Sequence, residues 1–191
     1  MHNLIISDVF GRTKALEHMA CELPCDTFII DPYNSEHMNF TNEDQAYAYF
    51  MSEVGMDKYC EILTEYTLGL SESVKVIGFS IGASAVWKIS SQIELGNISS
   101  AVCFYGSQIR HEKETCPMFP VTLIFPVSEE HYSVPSLITY LSNRNNVLIH
   151  QVNFFHGFMN AKSNNYDHDA YSQLMQALCK YQLTSKGFWQ S

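Results

Sequence analysis

A mostly parallel six-stranded α/β sheet with helices on both faces is the fold this sequence predicts. Short apolar runs alternate with segments of helical spacing along most of the chain, the pattern of repeated strand–helix–strand units. One glycine-flanked serine sits where such a run passes directly into a helical segment. The 191 residues, 46% hydrophobic and 16% charged, suit one continuous core, so a single domain over 1–191 is expected.

Six runs read as strands: residues 4–6, 27–30, 74–77, 101–105, 121–125 and 147–152. Three helical patterns connect them, at 13–23, 83–95 and 134–142. Alternation of this kind places helices on both faces of a mostly parallel sheet. A last helix, at about 166–183, carries Tyr171, Leu174, Leu178 and Tyr181 on one stripe and should dock on the sheet. Residues 33–70 break the alternation, with two helical patterns and no strand. The first opens on Thr41-Asn42-Glu43-Asp44, a helix cap followed by an acidic first turn. This helical insertion holds Tyr33, Phe40, Tyr47, Tyr49, Phe50, Tyr59 and Tyr66. It leaves the C-terminal end of the second strand, where open α/β sheets bind ligands. Its aromatics either pack the two helices down or wall an acyl pocket.

Charge excludes several partners. Twenty acidic residues against eleven basic ones give a net charge of −9, which argues against nucleic acid and anionic membrane surfaces. No run is long enough for a membrane span. The first residues lack a signal peptide's basic start and long apolar core, so the expected location is the cytoplasm. The six cysteines are then expected to be reduced, and neither a C-x-x-C pair nor a zinc set is present.

The chemistry centres on Gly78-Phe79-Ser80-Ile81-Gly82, between a β-branched run and a helical segment. A nucleophile elbow needs this context, because its serine sits on a tight strand-to-helix turn. A serine hydroxyl is a weak nucleophile and needs a histidine base oriented by a carboxylate. In chain order the acid and then the histidine should follow the serine. Of the eight histidines, His156 lies in Phe154-Phe155-His156-Gly157-Phe158, just past the sixth strand and on the edge of the sheet that carries Ser80. His2, His18, His37 and His111 lie early or in apparent helices and charged loops; His150 falls inside a strand and His168 at the start of the last helix. The acid should follow the fifth strand, where Glu129 is favoured by alignment with the strand end and Glu130 is the fallback. Asp167 could serve only if its helix end swung towards the histidine. An oxyanion hole needs two backbone donors. Position assigns these to the amides of Ile81 and Val9.

These residues resemble the dienelactone hydrolase family of α/β-hydrolases through nearly the whole chain. The likeness runs through Asp8-Val9-Phe10-Gly11, Asp31-Pro32-Tyr33, the elbow, Phe104-Tyr105-Gly106 and His156-Gly157-Phe158. It implies Ser80, Glu129 and His156 as a triad and Val9 and Ile81 as oxyanion donors. It also puts Asp8 where members often carry a glutamate that contacts the nucleophile. Four departures stand against it. Serine replaces the cysteine of the family's namesakes, and glutamate replaces the usual aspartate. Asn160 replaces the arginine four residues after the histidine that grips a substrate carboxylate. The antiparallel edge before the third strand of the full hydrolase sheet is absent. Arg12 and Arg110 follow strand ends and could supply another anion contact, and Asp8, Phe10, Phe79 and Tyr105 complete the candidate pocket. The expected activity is hydrolysis of a small ester, lactone or thioester with no metal or cofactor, with a homodimer as the possible assembly. A silent binding protein and an acyltransferase are the rival readings.

Overall fold

The computed structural model describes residues 2–180. Its strands are β1 (His2–Ile6), β2 (Thr27–Ile30), β3 (Val74–Phe79), β4 (Ile98–Phe104), β5 (Val121–Phe125) and β6 (Val147–Gln151). Its helices are α1 (Lys14–Glu22), α2 (Glu43–Glu53), α3 (Gly55–Leu68), α4 (Ile81–Ile89), α5 (Val134–Leu141) and α6 (His168–Cys179), with 3-10 turns at Ile93–Leu95 and Ser107–His111. The strands form one sheet in the order β2-β1-β3-β4-β5-β6. Every neighbouring pair is parallel, and no antiparallel strand occurs among the described residues.

Parallel strands buried on both faces must be apolar on successive residues. Leu4 and Ile6 of β1 enter a core shared with α2, α3, α4 and α5. Ile5 between them enters a second core shared with α1 and α6. Crossover handedness explains this division. From β1 the chain moves to β2 on one side, then returns past β1 to β3 on the other. Right-handed connections in opposite directions must use opposite faces. The reversal lies between β1 and β3, which makes the C-terminal ends of these strands the crevice where such sheets bind ligands.

Element edges moved by a few residues, for local reasons. Strand β3 extends through Gly78 and Phe79, which stay in register with Cys103 and Phe104. Strand β4 starts earlier, at Ile98, and ends before Tyr105, whose φ is 41°. The helical pattern at 83–95 begins sooner, at Ile81, and stops at Ile89, with a separate 3-10 turn after it. Helix α6 starts at His168, because Asp167 caps it by accepting from the Ala170 amide at 2.8 Å. That bond occupies the carboxyl that was a distant alternative for the triad. Tyr181 and the rest of the expected helix to 183 lie outside the described residues.

The insertion is two helices, as its pattern predicts. Asn42 caps α2 by accepting from the Gln45 amide at 2.9 Å. Tyr33, Phe40, Phe50 and Tyr59 are buried, whereas Tyr47, Tyr49 and Tyr66 stay exposed. Four of the seven aromatics therefore pack, and Tyr47 alone of the seven reaches the cleft described below. Helix α3 lies over α4, and this explains why α4 is buried on nearly every side.

Candidate active site

Strand β3 ends in a sharp turn at Ser80, with φ 49° and ψ −113°. Such a conformation costs a non-glycine residue roughly 1–3 kcal/mol. Surrounding hydrogen bonds hold it. The Ser80 amide donates to the Phe104 carbonyl at 2.9 Å, and the Ser80 carbonyl accepts from the Ser84 amide at 3.0 Å and its Oγ at 3.1 Å. Both elbow glycines are demanded by space. A Cβ on Gly78 would stand 2.8 Å from Ala83 Cα, and one on Gly82 would stand 2.3 Å from the Ser7 carbonyl oxygen. Helix α4 thus begins pressed against the end of β1, which sets Ile81 beside the loop carrying Val9.

Ser80 Oγ lies 3.0 Å from Nε2 of His156, and Nδ1 of His156 lies 2.8 Å from Oε1 of Glu129. An ionised carboxylate only accepts, so Nδ1 donates to Glu129 and Nε2 is left to accept the Ser80 proton. The loops holding these partners are tied together. The Val127 amide donates to the Phe154 carbonyl at 2.8 Å, and Asn165 Nδ2 donates to the His156 carbonyl at 2.9 Å. Glu129 is largely buried against the histidine, with its side chain 13% exposed, whereas Glu130 points to solvent.

Burial alone pulls the His156 pKa down, because it disfavours the imidazolium. The Glu129 hydrogen bond and the negative charges of Glu129, Glu43 and Asp8 outweigh it, so the net shift is upward.

Val9, Ile81, Ser80, Glu129 and His156 all line one cleft of about 730 Å³. Among the described residues, neither the Val9 nor the Ile81 amide donates to a protein acceptor. The Val9 loop is held from its carbonyl side. Tyr33 Oη donates to the Val9 carbonyl at 2.7 Å, and Tyr59 Oη donates to the Ser7 carbonyl at 3.0 Å.

Of the other candidate pocket residues, Arg110 lines this cleft. Asp8, Phe79 and Tyr105 instead line a separate cavity of about 260 Å³ beside α1 and α6. Tyr105 touches the site through its ring, 4.9 Å from the His156 ring centre. Phe10 is a core residue at 4% exposure. Arg12 is no anion contact: its guanidinium donates to the Ile29 carbonyl and faces Asp31 and Glu17. An arginine after a strand end can as readily serve the neighbouring strand as a ligand, and sequence position does not separate the two.

Asp8 differs from the role implied by the family resemblance. Its Oδ1 accepts from the Phe10 amide and its Oδ2 from Asn160 Nδ2, while Ser80 Oγ has His156 as its hydrogen-bond partner. Burial pushes the Asp8 carboxyl up to about 6, against the pull of these donors. The contact of Asn160 with Asp8 joins the Val9 loop to the His156 loop. Sequence reasoning also missed Asn165 and the cleft positions of Glu43 and Asp44. No motif marks the asparagine, and the two acids read only as a helix start.

The sheet order, the crevice at its reversal and the strained serine elbow define the α/β-hydrolase class of folds. A sequence profile of the dienelactone hydrolase family matches residues 4–182, and the chain belongs to that family. A protein of Bacillus subtilis (strain 168), the uncharacterized YczH, is 42% identical over 90 residues. The match spans 46% of this chain and 43% of that relative, less than half of either. Among solved structures, a predicted CIB-like hydrolase from Thermoplasma acidophilum superposes with a TM-score of 0.66 at 9% identity, covering 96% of this chain and 86% of that one. Est1E from Butyrivibrio proteoclasticus, solved with ferulic acid, superposes with a TM-score of 0.63 at 13% identity, covering 95% and 88%. At such identities these two likenesses concern the fold. No helix among the described residues is long and apolar enough to cross a membrane.

Proposed function

We propose that this protein is a serine hydrolase that cleaves small carboxylic esters, lactones or thioesters through an acyl-enzyme on Ser80. The observation that carries this reading is the continuous hydrogen-bonded chain from Ser80 Oγ through His156 to Glu129. As the substrate carbonyl enters, Ser80 Oγ attacks its carbon and the hydroxyl proton passes to Nε2 of His156. The amides of Val9 and Ile81 receive the oxyanion, aided by the N-terminus of α4. Collapse breaks the bond to the leaving alcohol or thiol, which takes the proton from Nε2. Water then attacks the acyl-enzyme while His156 accepts its proton, and the free acid departs as Ser80 is reprotonated. Assembled partners with ordinary hydrogen-bond lengths favour this reading over a silent fold. The cleft of about 730 Å³ leaves room for water beside the acyl group, which supports hydrolysis over transfer.

Fluorophosphonate treatment is expected to add one phosphonyl mass to the peptide carrying Ser80 and to abolish hydrolysis of p-nitrophenyl acetate. Absence of both labelling and hydrolysis would refute the enzyme reading.

Activity should also follow the charge of His156. The base must be neutral, so kcat/KM should rise with pH through an apparent pKa above the ordinary histidine value of about 6.5. Stability moves the other way. A raised folded pKa contributes stability that is full below the unfolded value and is lost as pH rises through the folded one. A kcat/KM profile placed against denaturant unfolding at several pH values checks both slopes.

A further inference from the structure

The candidate cleft carries an unbalanced charge. Helix α2 presents Glu43 and Asp44 in its first turn and Tyr47 one turn later, all on the cleft. The spacings 43/47 and 44/47 put these side chains on one helical face. The facing loops add Glu130, and Phe155 stands 57% exposed beside the His156 base. Against these carboxylates, the described residues lining the cleft set His131 and one guanidinium, that of Arg110. It is already engaged: Nη1 donates to the Ser107 carbonyl at 2.7 Å, and the group lies 5.4 Å over the Tyr132 ring. Glu129 is not counted, because His156 holds it.

Acidic residues in a helix's first turn offset the positive end of its dipole, and that alone would account for Glu43 and Asp44. It does not account for Glu130 on the opposite loop, nor for exposed aromatic faces at the same mouth. Glu43 also acts on the site itself, since its negative charge raises the pKa of both His156 and Asp8.

We infer that the cleft selects substrates with a positively charged group near the scissile bond, such as the ester or thioester of an ammonium-bearing alcohol or thiol. The carboxylates would supply the long-range attraction, and the rings of Tyr47 and Phe155 would supply cation–π contact. A substrate carboxylate, by contrast, would enter against three acids, Glu43, Asp44 and Glu130, that have no ion-pair partner among the described residues. This inference rests on the proposed hydrolase reading and concerns the substrate class of the same site.

Three thioacetates of similar size test it: acetylthiocholine, its neutral isostere 3,3-dimethylbutyl thioacetate, and anionic S-acetyl-3-mercaptopropionate. The cation should exceed the neutral isostere by about tenfold in kcat/KM, and the anion should fall below it. Raising the salt to 0.5 M should shrink the ratios, because screening shortens electrostatic reach. Glu43→Gln should lower the cation-to-neutral ratio about threefold relative to the unmutated protein. Reading the ratio within each variant cancels a general loss of activity. Equal rates on all three esters, a faster anion, or a ratio unmoved by Glu43→Gln would overturn this inference while leaving the hydrolase reading intact. No turnover of any of the three, with no phosphonylation of Ser80, would overturn both.

Discussion

Alanine in place of His156 is expected to lower kcat on a small ester by about 10⁴-fold or more, leaving the fold in place. Among the described residues, the imidazole is the hydrogen-bond partner of the Ser80 hydroxyl. Without it the serine must attack unassisted, and the oxyanion amides and the cleft remain as the only sources of rate. Its removal should be tolerated because the ring is partly exposed at the cleft and its loop is tied by backbone bonds. Circular dichroism and thermal unfolding close to those of the parent would show that the loss is chemical. The two neighbouring carboxylates give an internal control. Glu129→Gln keeps the volume but alters the hydrogen bond that orients Nδ1, so it should cost far more activity than Glu130→Gln, whose side chain faces solvent. The reverse ranking would assign the acid to Glu130.

Much of this arrangement is legible from residue order, because an open parallel sheet turns sequence into position. Every strand end in such a sheet arrives at the same edge, so Ser80 after β3, Glu129 after β5 and His156 after β6 must converge there. Element order brings both Glu129 and Glu130 to that edge, and it is Glu129 that His156 meets at 2.8 Å. What the order of elements does not reveal is which face of a loop a side chain takes. Phe10 and Arg12 follow β1 as closely as Val9 does, yet one turns into the core and the other onto β2. Asp8 and Asn160 lie 152 residues apart, and no local pattern announces their hydrogen bond. The cleft's acidity was hidden for another reason. Glu43 and Asp44 satisfy the rules for starting a helix so well that nothing local points to a second role.

Gly82→Ala is expected to have the largest effect on stability of any single-methyl change in the elbow. The added Cβ would lie 2.3 Å from the Ser7 carbonyl oxygen and 2.6 Å from that of Ile6. Both are backbone atoms, of β1 and its first loop residue, so no side-chain rotation relieves the clash. Either α4 moves outward or β1 bends, and each breaks packing in a core where Ile6, Ile81 and Trp87 are buried together. A loss of roughly 3 kcal/mol or more follows from overpacking of this kind. In a chain of this length that lowers Tm by roughly 6–12 °C. Gly96→Ala is the matched control. Its φ is −62° and its added Cβ would approach nothing nearer than the Ile93 carbonyl oxygen at 3.9 Å. That change should leave Tm unaltered or raise it slightly, since alanine reduces the freedom of the unfolded chain. Any Gly82→Ala protein that still folds should also lose turnover. The displaced helix carries the Ile81 amide away from that of Val9, and loss of one oxyanion donor costs about 10²–10³ in kcat. A Gly82→Ala protein as stable and as active as the parent would mean that α4 is not pressed onto β1, and that the spacing of the two amides has another cause.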